Sequence, residues 1–195
     1  MRASLADAPS RGQWSARLSP VAPGLLLPRF FERVTRSAFG DLALDDSRAA
    51  GYLTDLLTRY ARTEALGAID ALPGRPLPTV ADALLEIQRV WDWTDPRFAP
   101  EKERAVRRHI GDYTLFMLGL FREHVERLAV TTYYETEGRR AYRFLAELGR
   151  AGDEPDAPLY ARLAAGFERY AGALAYMKKV YFRDTALPWR GLAMS

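Results

Sequence analysis

Asp112, Glu137 and His124 are the residues whose types and places could do proton chemistry in this chain. Each interrupts or borders an apolar stripe. Wound as a helix, Val106, Ile110, Tyr113, Met117, Leu120, Phe121 and Leu128 share one face, and His124 falls in its middle. Asp112 lies beside the opposite face of Leu115, Leu118 and Gly119. In the next segment Val130, Tyr134, Ala141, Leu145 and Leu148 form a stripe, and Glu137 falls inside it. A buried, unpaired charge is costly, so each group must find a partner or change its protonation. The structural reading pairs Asp112 with Arg108 or His109, and Glu137 with Arg140 or a tyrosine. The functional reading gathers the three in an apolar pocket, where a shifted pKa suits a proton donor or acceptor.

Other chemistries find less support. The chain has no Cys and two His, so thiolate sites and cysteine nucleophiles are excluded. His109-x-x-Asp112 is a ligand-like spacing, but no Glu-x-x-His repeat of a di-metal bundle accompanies it, and no metal is expected. There is no G-x-S-x-G, no P-loop and no dinucleotide fingerprint, and no cofactor is expected. Tyr134, Phe167 and Tyr170 are candidate ligand contacts; with Tyr160, Tyr181, Trp91 and Phe116 such aromatics could wall a flat or apolar ligand, or simply form core. Basic clusters occur at Arg104, Arg107 and Arg108, at Arg139, Arg140 and Arg143, and at Lys178 and Lys179. Glu103 can pair with Arg107 one helical turn away, and such runs read first as solvated faces.

Composition supports this ordering. Of 195 residues 48% are hydrophobic and 27% charged, an ordinary globular balance that excludes a disordered chain or a fibre. The net charge is only +3, from 28 basic and 25 acidic residues, which disfavours a dedicated nucleic-acid protein. Arginine dominates the basic set, as in GC-rich bacterial coding. Residues Met1 to Pro20 lack the apolar core of a signal peptide. Tyr113 to Phe121 is too short an apolar run to span a membrane, which needs about 20 residues. The expectation is a soluble cytoplasmic protein.

The elements that must position these residues read as helices throughout. Residues 1–20 suggest a mobile tail, and 21–27 an extended apolar segment. Pro28 opens a helix that stops at Gly40. Asp45, Asp46 and Ser47 can cap a second helix with Ala49, Leu53, Leu56, Leu57 and Tyr60 on its buried face. A loop at 70–78 and a helix from Thr79 through Trp91 follow. Residues 101–128 predict one long helix, apolar nearly all round at its centre and therefore central in the fold. Thr131 or Thr132 caps the next helix, from Tyr133 to about Leu148, with Gly149 and Gly152 as its stop. Asp156 and Pro158 start the last, from 158 to 182. The whole predicts one all-α domain over 21–182, a bundle of about six helices around the long one, with a C-terminal tail at 183–195.

The stretches RRHIGDYTLFMLGLF, YYETEGRRAY and FERYAGALAYMKKVYF resemble a group of uncharacterised bacterial proteins, over roughly residues 45–182. The resemblance implies a bacterial, all-helical, single-domain protein, with Gly111, Asp112, Tyr134 and Gly138 in its characteristic motif. It implies no activity. The leading expectation is a binding protein for a protein partner or a small apolar ligand. An enzyme using the buried acid and base residues is the alternative, and a nucleic-acid-associated factor the second.

Overall fold

The computed structural model describes residues 23–61 and 100–182, and every regular element among them is a helix. There are seven: α1 Pro23–Asp41, α2 Ser47–Ala61, α3 Pro100–Leu120, α4 Arg122–Arg127, α5 Thr131–Ala151, α6 Ala157–Ala165 and α7 Phe167–Val180. The expected tails, the loop at 70–78 and the helix from Thr79 lie outside the described residues. No described helix is long and apolar enough to cross a membrane.

The chain packs as a bundle in which α3 is central, touching α2, α4, α5 and α7. Its centre is apolar on every side, so every side must be covered. Leu115, Phe116, Leu118 and Leu120 are all buried. Two glycines let neighbours come close. A Cβ on Gly111 would lie 2.7 Å from the Tyr142 ring, and one on Gly119 would overlap Leu174. Helices α5 and α7 therefore approach α3 closely. On α2 the predicted face of Ala49, Leu53, Leu56, Leu57 and Tyr60 is buried as expected. Its start is capped by Asp46, whose Oδ1 accepts the Ala49 amide at 3.0 Å.

Several boundaries differ from the sequence reading. Helix α1 begins at Pro23, so part of the expected extended segment is helical and Pro28 lies inside the helix. The long helix expected over 101–128 breaks at Phe121, whose backbone (φ −125°, ψ 32°) leaves the helical region. No proline or side-chain cap marks the place. Phe121 and Val125 turn inward, and Leu128, expected on the buried face, is 55% exposed. The last helix is likewise divided at Gly166 into α6 and α7. Helix α5 starts at Thr131 with Val130 before it, so no threonine hydroxyl caps it. Asp156 precedes α6, but its carboxylate makes no capping hydrogen bond.

Gly152 is the C-cap of α5, as expected, and Gly166 ends α6, but glycine supplies none of the left-handed closing residues. The turns after α1, α4 and α5 use Ala43, Ala129 and Asp153, all in the left-handed region at φ 51°, 56° and 52°. Each turn carries the same pair of bonds. Leu44 N–H reaches Phe39 C=O, Val130 reaches Val125, and Glu154 reaches Gly149, while Ala43, Ala129 and Asp153 bond back three residues. This is the Schellman closure. Gly40 and Gly149 instead remain helical.

Candidate functional site

Asp112 sits at the meeting of α2, α3 and α5 with only 1% of its surface exposed. Its Oδ1 accepts the Tyr52 hydroxyl at 2.5 Å and the Tyr142 hydroxyl at 2.8 Å. Its Oδ2 accepts Arg59 Nη2 at 2.8 Å. Arg108 Nε stands 3.8 Å from the same oxygen, too far for a hydrogen bond. Tyr52 and Arg59 lie two turns apart on α2, so one helix face delivers both. Charge-assisted bonds of this kind are the strong ones, and they tie three helices to one carboxylate.

The tyrosines form a packed wall around it. Tyr52 meets Tyr142 and Tyr160 edge-on, at 6.2 Å and 6.1 Å, and Tyr142 stacks on Tyr160 at 6.1 Å. Arg108 lies over the Tyr52 ring at 5.6 Å. Burial, and then the Asp112 charge, push the Tyr52 and Tyr142 phenols well above their ordinary value, so both stay protonated donors. Burial works against the Arg59 charge, but Asp112 outweighs it and holds the guanidinium above its usual range. Burial acts on Arg108 the same way, and the Tyr52, Asp112 and Tyr160 oxygens raise it.

His109, one turn before Asp112, is half-buried and stacks on Tyr113 at 5.8 Å. Burial lowers its pKa below the ordinary 6.5, with Asp112 opposing. A depressed histidine is neutral in the fold and charges more readily when unfolded. Its contribution to stability is therefore present above pH 6.5 and is lost as pH falls through the folded value. The expected result is an unfolding free energy that declines below that pH, with a shallower decline in His109→Gln. Urea titrations from pH 7.5 to pH 5 check it, and identical slopes in both proteins would contradict it.

The other two acid–base candidates find their partners elsewhere. Glu137 is buried on α5 and meets Arg140 Nη1 at 3.9 Å. His124 is half-buried on α4, 3.5 Å from Arg127 Nη2. It lines an open cavity of about 420 Å³ with Phe121, Glu123, Glu126, Arg127 and Lys178. The break at Phe121 separates it from the face that carries Ile110. Thus Asp112, Glu137 and His124 each keep different partners among the described residues.

Phe167 is fully buried beneath the cluster, 6.2 Å from Tyr142. Tyr170 is fully buried against Phe39, and its hydroxyl donates to Asp46 Oδ2 at 2.7 Å. Asp46 also meets Arg162 at 3.2 Å. Burial opposes its ionisation, but the Ala49 amide, Tyr170 and Arg162 hold its carboxyl below the usual range. Above it, a cleft of about 380 Å³ opens between α1 and α2, with Phe39, Leu44 and Gly51 among its lining. Tyr134 is half-buried, between Tyr113 and Tyr133 at 6.1 Å and 6.2 Å.

The basic clusters are largely matched by acids. Arg104 pairs with Glu154, Arg139 with Glu168, and Arg107 with Glu103 at 3.2 Å. The last pair is buried, with Arg107 also over the Phe144 ring at 4.6 Å. Among the described residues no group of three or more His, Asp or Glu side chains could hold a metal ion.

Sequence reasoning nominated Asp112 and one of its partners, Arg108. It missed Tyr52, Tyr142 and Arg59, which are 60, 30 and 53 residues away along the chain. Comparison with family models, with curated proteins and with solved structures finds no match to this chain.

Proposed function

We propose that the protein works by binding, and that its buried carboxylate is a scaffold for the binding surface and not a proton-transfer group. The observation that supports this reading is the use of both Asp112 oxygens. Two phenols and a guanidinium engage both oxygens, and the carboxylate is only 1% exposed, so a substrate has little access to it. A general base must lie within hydrogen-bond reach of the proton it takes. What faces outward from the cluster is cationic and aromatic. Arg59 and Arg108 are half-exposed, and Tyr160 is half-buried beside them. Such groups suit contact with a small ligand, on an all-helical frame. The arginine-rich composition fits a bacterial source, and the cytoplasm is the setting proposed for it.

Native mass spectrometry of the full chain, purified gently from its own host, tests the reading. A retained small molecule or partner is the expected result. A bare chain mass under conditions that preserve the fold would contradict it. The acid–base alternative would need turnover lost in Asp112→Asn or Glu137→Gln while the fold survives.

A further inference from the structure

We propose that Arg59 and Arg108 together recognise an oxyanion, a carboxylate or phosphate group carried on a small ligand whose flat body lies on Tyr160. The inference rests on the binding reading above and names the chemistry of what is bound. Its first support is charge. Two guanidinium groups face a single carboxylate, so the cluster keeps one positive charge in excess. Three other arginines show the contrast. Arg104, Arg107 and Arg139 each have a carboxylate of their own.

The second support is unused hydrogen-bonding capacity. Arg59 spends Nη2 on Asp112, while its Nε is buried with no acceptor at all. A buried donor left unpaired costs free energy, and a small turn of the half-exposed side chain would present it to an incoming oxyanion. Arg108 lies beyond hydrogen-bond distance of Asp112 and leans on the Tyr52 hydroxyl, which leaves the rest of its five-donor fork for another acceptor. Guanidinium forks match carboxylate and phosphate oxygens in a bidentate way.

The third is preorganisation. Long arginine side chains ordinarily lose much rotamer freedom on binding. Here Arg59 is anchored by Asp112 and Arg108 is laid over Tyr52, yet their side chains remain 42% and 45% exposed. The Tyr160 ring, stacked on Tyr142, offers a fixed aromatic surface beside them.

The experiment is isothermal titration of the full chain with two probes, inorganic phosphate and benzoate, at constant ionic strength. Saturable one-to-one binding of at least one probe is expected. Phosphate alone would assign a phosphate group, and benzoate alone a carboxylate on a flat body. In Arg108→Gln the affinity should fall by about tenfold, equivalent to about 1.4 kcal/mol. Because Arg108 makes no hydrogen bond to Asp112, this variant should still fold, as circular dichroism will report. Arg108→Glu should abolish binding, and Arg122→Gln, in an exposed ion pair on α4, should leave it unchanged. No saturable binding of either probe, or equal loss in Arg122→Gln, would overturn the assignment. An uncharged molecule retained in the native mass spectrum, and retained equally by Arg108→Gln, would end it while leaving the binding reading in place.

Discussion

Asp112→Ala should lower the unfolding free energy by about 3–5 kcal/mol, the range for breaking a buried ion pair from one side. The loss is large because the substitution strands three donors at once. Tyr52 and Tyr142 lose their acceptor in the core, and Arg59 loses its counter-ion. Asp112→Asn should cost less. Its amide keeps one oxygen, which can still serve a phenol, but sets an N–H against Arg59. Urea unfolding followed by circular dichroism measures both, and the comparison is sound if the denaturant slope is unchanged. An alanine variant as stable as the parent would show that the carboxylate does not hold these helices.

Gly138→Ala should cost about 1–3 kcal/mol, although alanine is the better helix former by about 1 kcal/mol. Gly138 is buried on α5, where a new Cβ would stand 2.5 Å from the Phe167 ring and overlap the Thr114 hydroxyl. Neither neighbour can move aside freely. Thr114 is fully buried and bonded back to Ile110 C=O at 2.7 Å, and Phe167 is fully buried at the start of α7. Relief therefore requires α3, α5 and α7 to separate. Gly51→Ala on α2 is the matched control, since nothing lies within 4 Å of its added Cβ. It should gain up to about 1 kcal/mol from helix propensity alone. Thermal unfolding of the two variants should shift in opposite directions, and a gain at Gly138 would contradict the close packing around α3.

The sequence makes the helices legible where a single face repeats. Ala49 through Tyr60 on α2 and the all-round apolar centre of α3 follow from spacing alone. Helix ends are less legible because glycine has two uses. Gly149 and Gly40 look like stops, yet Gly149 packs on Ala157 and the left-handed turns fall to Ala43, Ala129 and Asp153. The break at Phe121 carries no local signal, so a face extrapolated through it puts His124 in phase with Ile110 and Leu128 in the core. Tertiary packing sets that break.

The candidate site was legible in one respect. A carboxylate beside an apolar helix face must be paired, and Asp112 is. Its partners were not legible, because Tyr52 and Arg59 come from a helix that meets α3 only in the folded chain. Nothing in the spacing of ten tyrosines distinguishes the two that donate to Asp112 from the rest. Glu137 shows the same limit from the other side. Its stripe position gives burial correctly, but its pairing with Arg140 is long at 3.9 Å, and Arg140 is mostly exposed.

The scaffold role of Asp112 is tested most directly by a double-mutant cycle between it and Tyr142. The unfolding free energies of Tyr142→Phe, Asp112→Ala and the double variant are compared with the parent chain. Residues sharing a buried hydrogen bond couple by about 0.5–3 kcal/mol, whereas independent sites add to within about 0.5 kcal/mol. Clear coupling of about 1 kcal/mol or more is expected, with the second substitution costing less once the first is made. Additive effects would mean that the phenol and the carboxylate do not act on each other in solution, and would contradict the account.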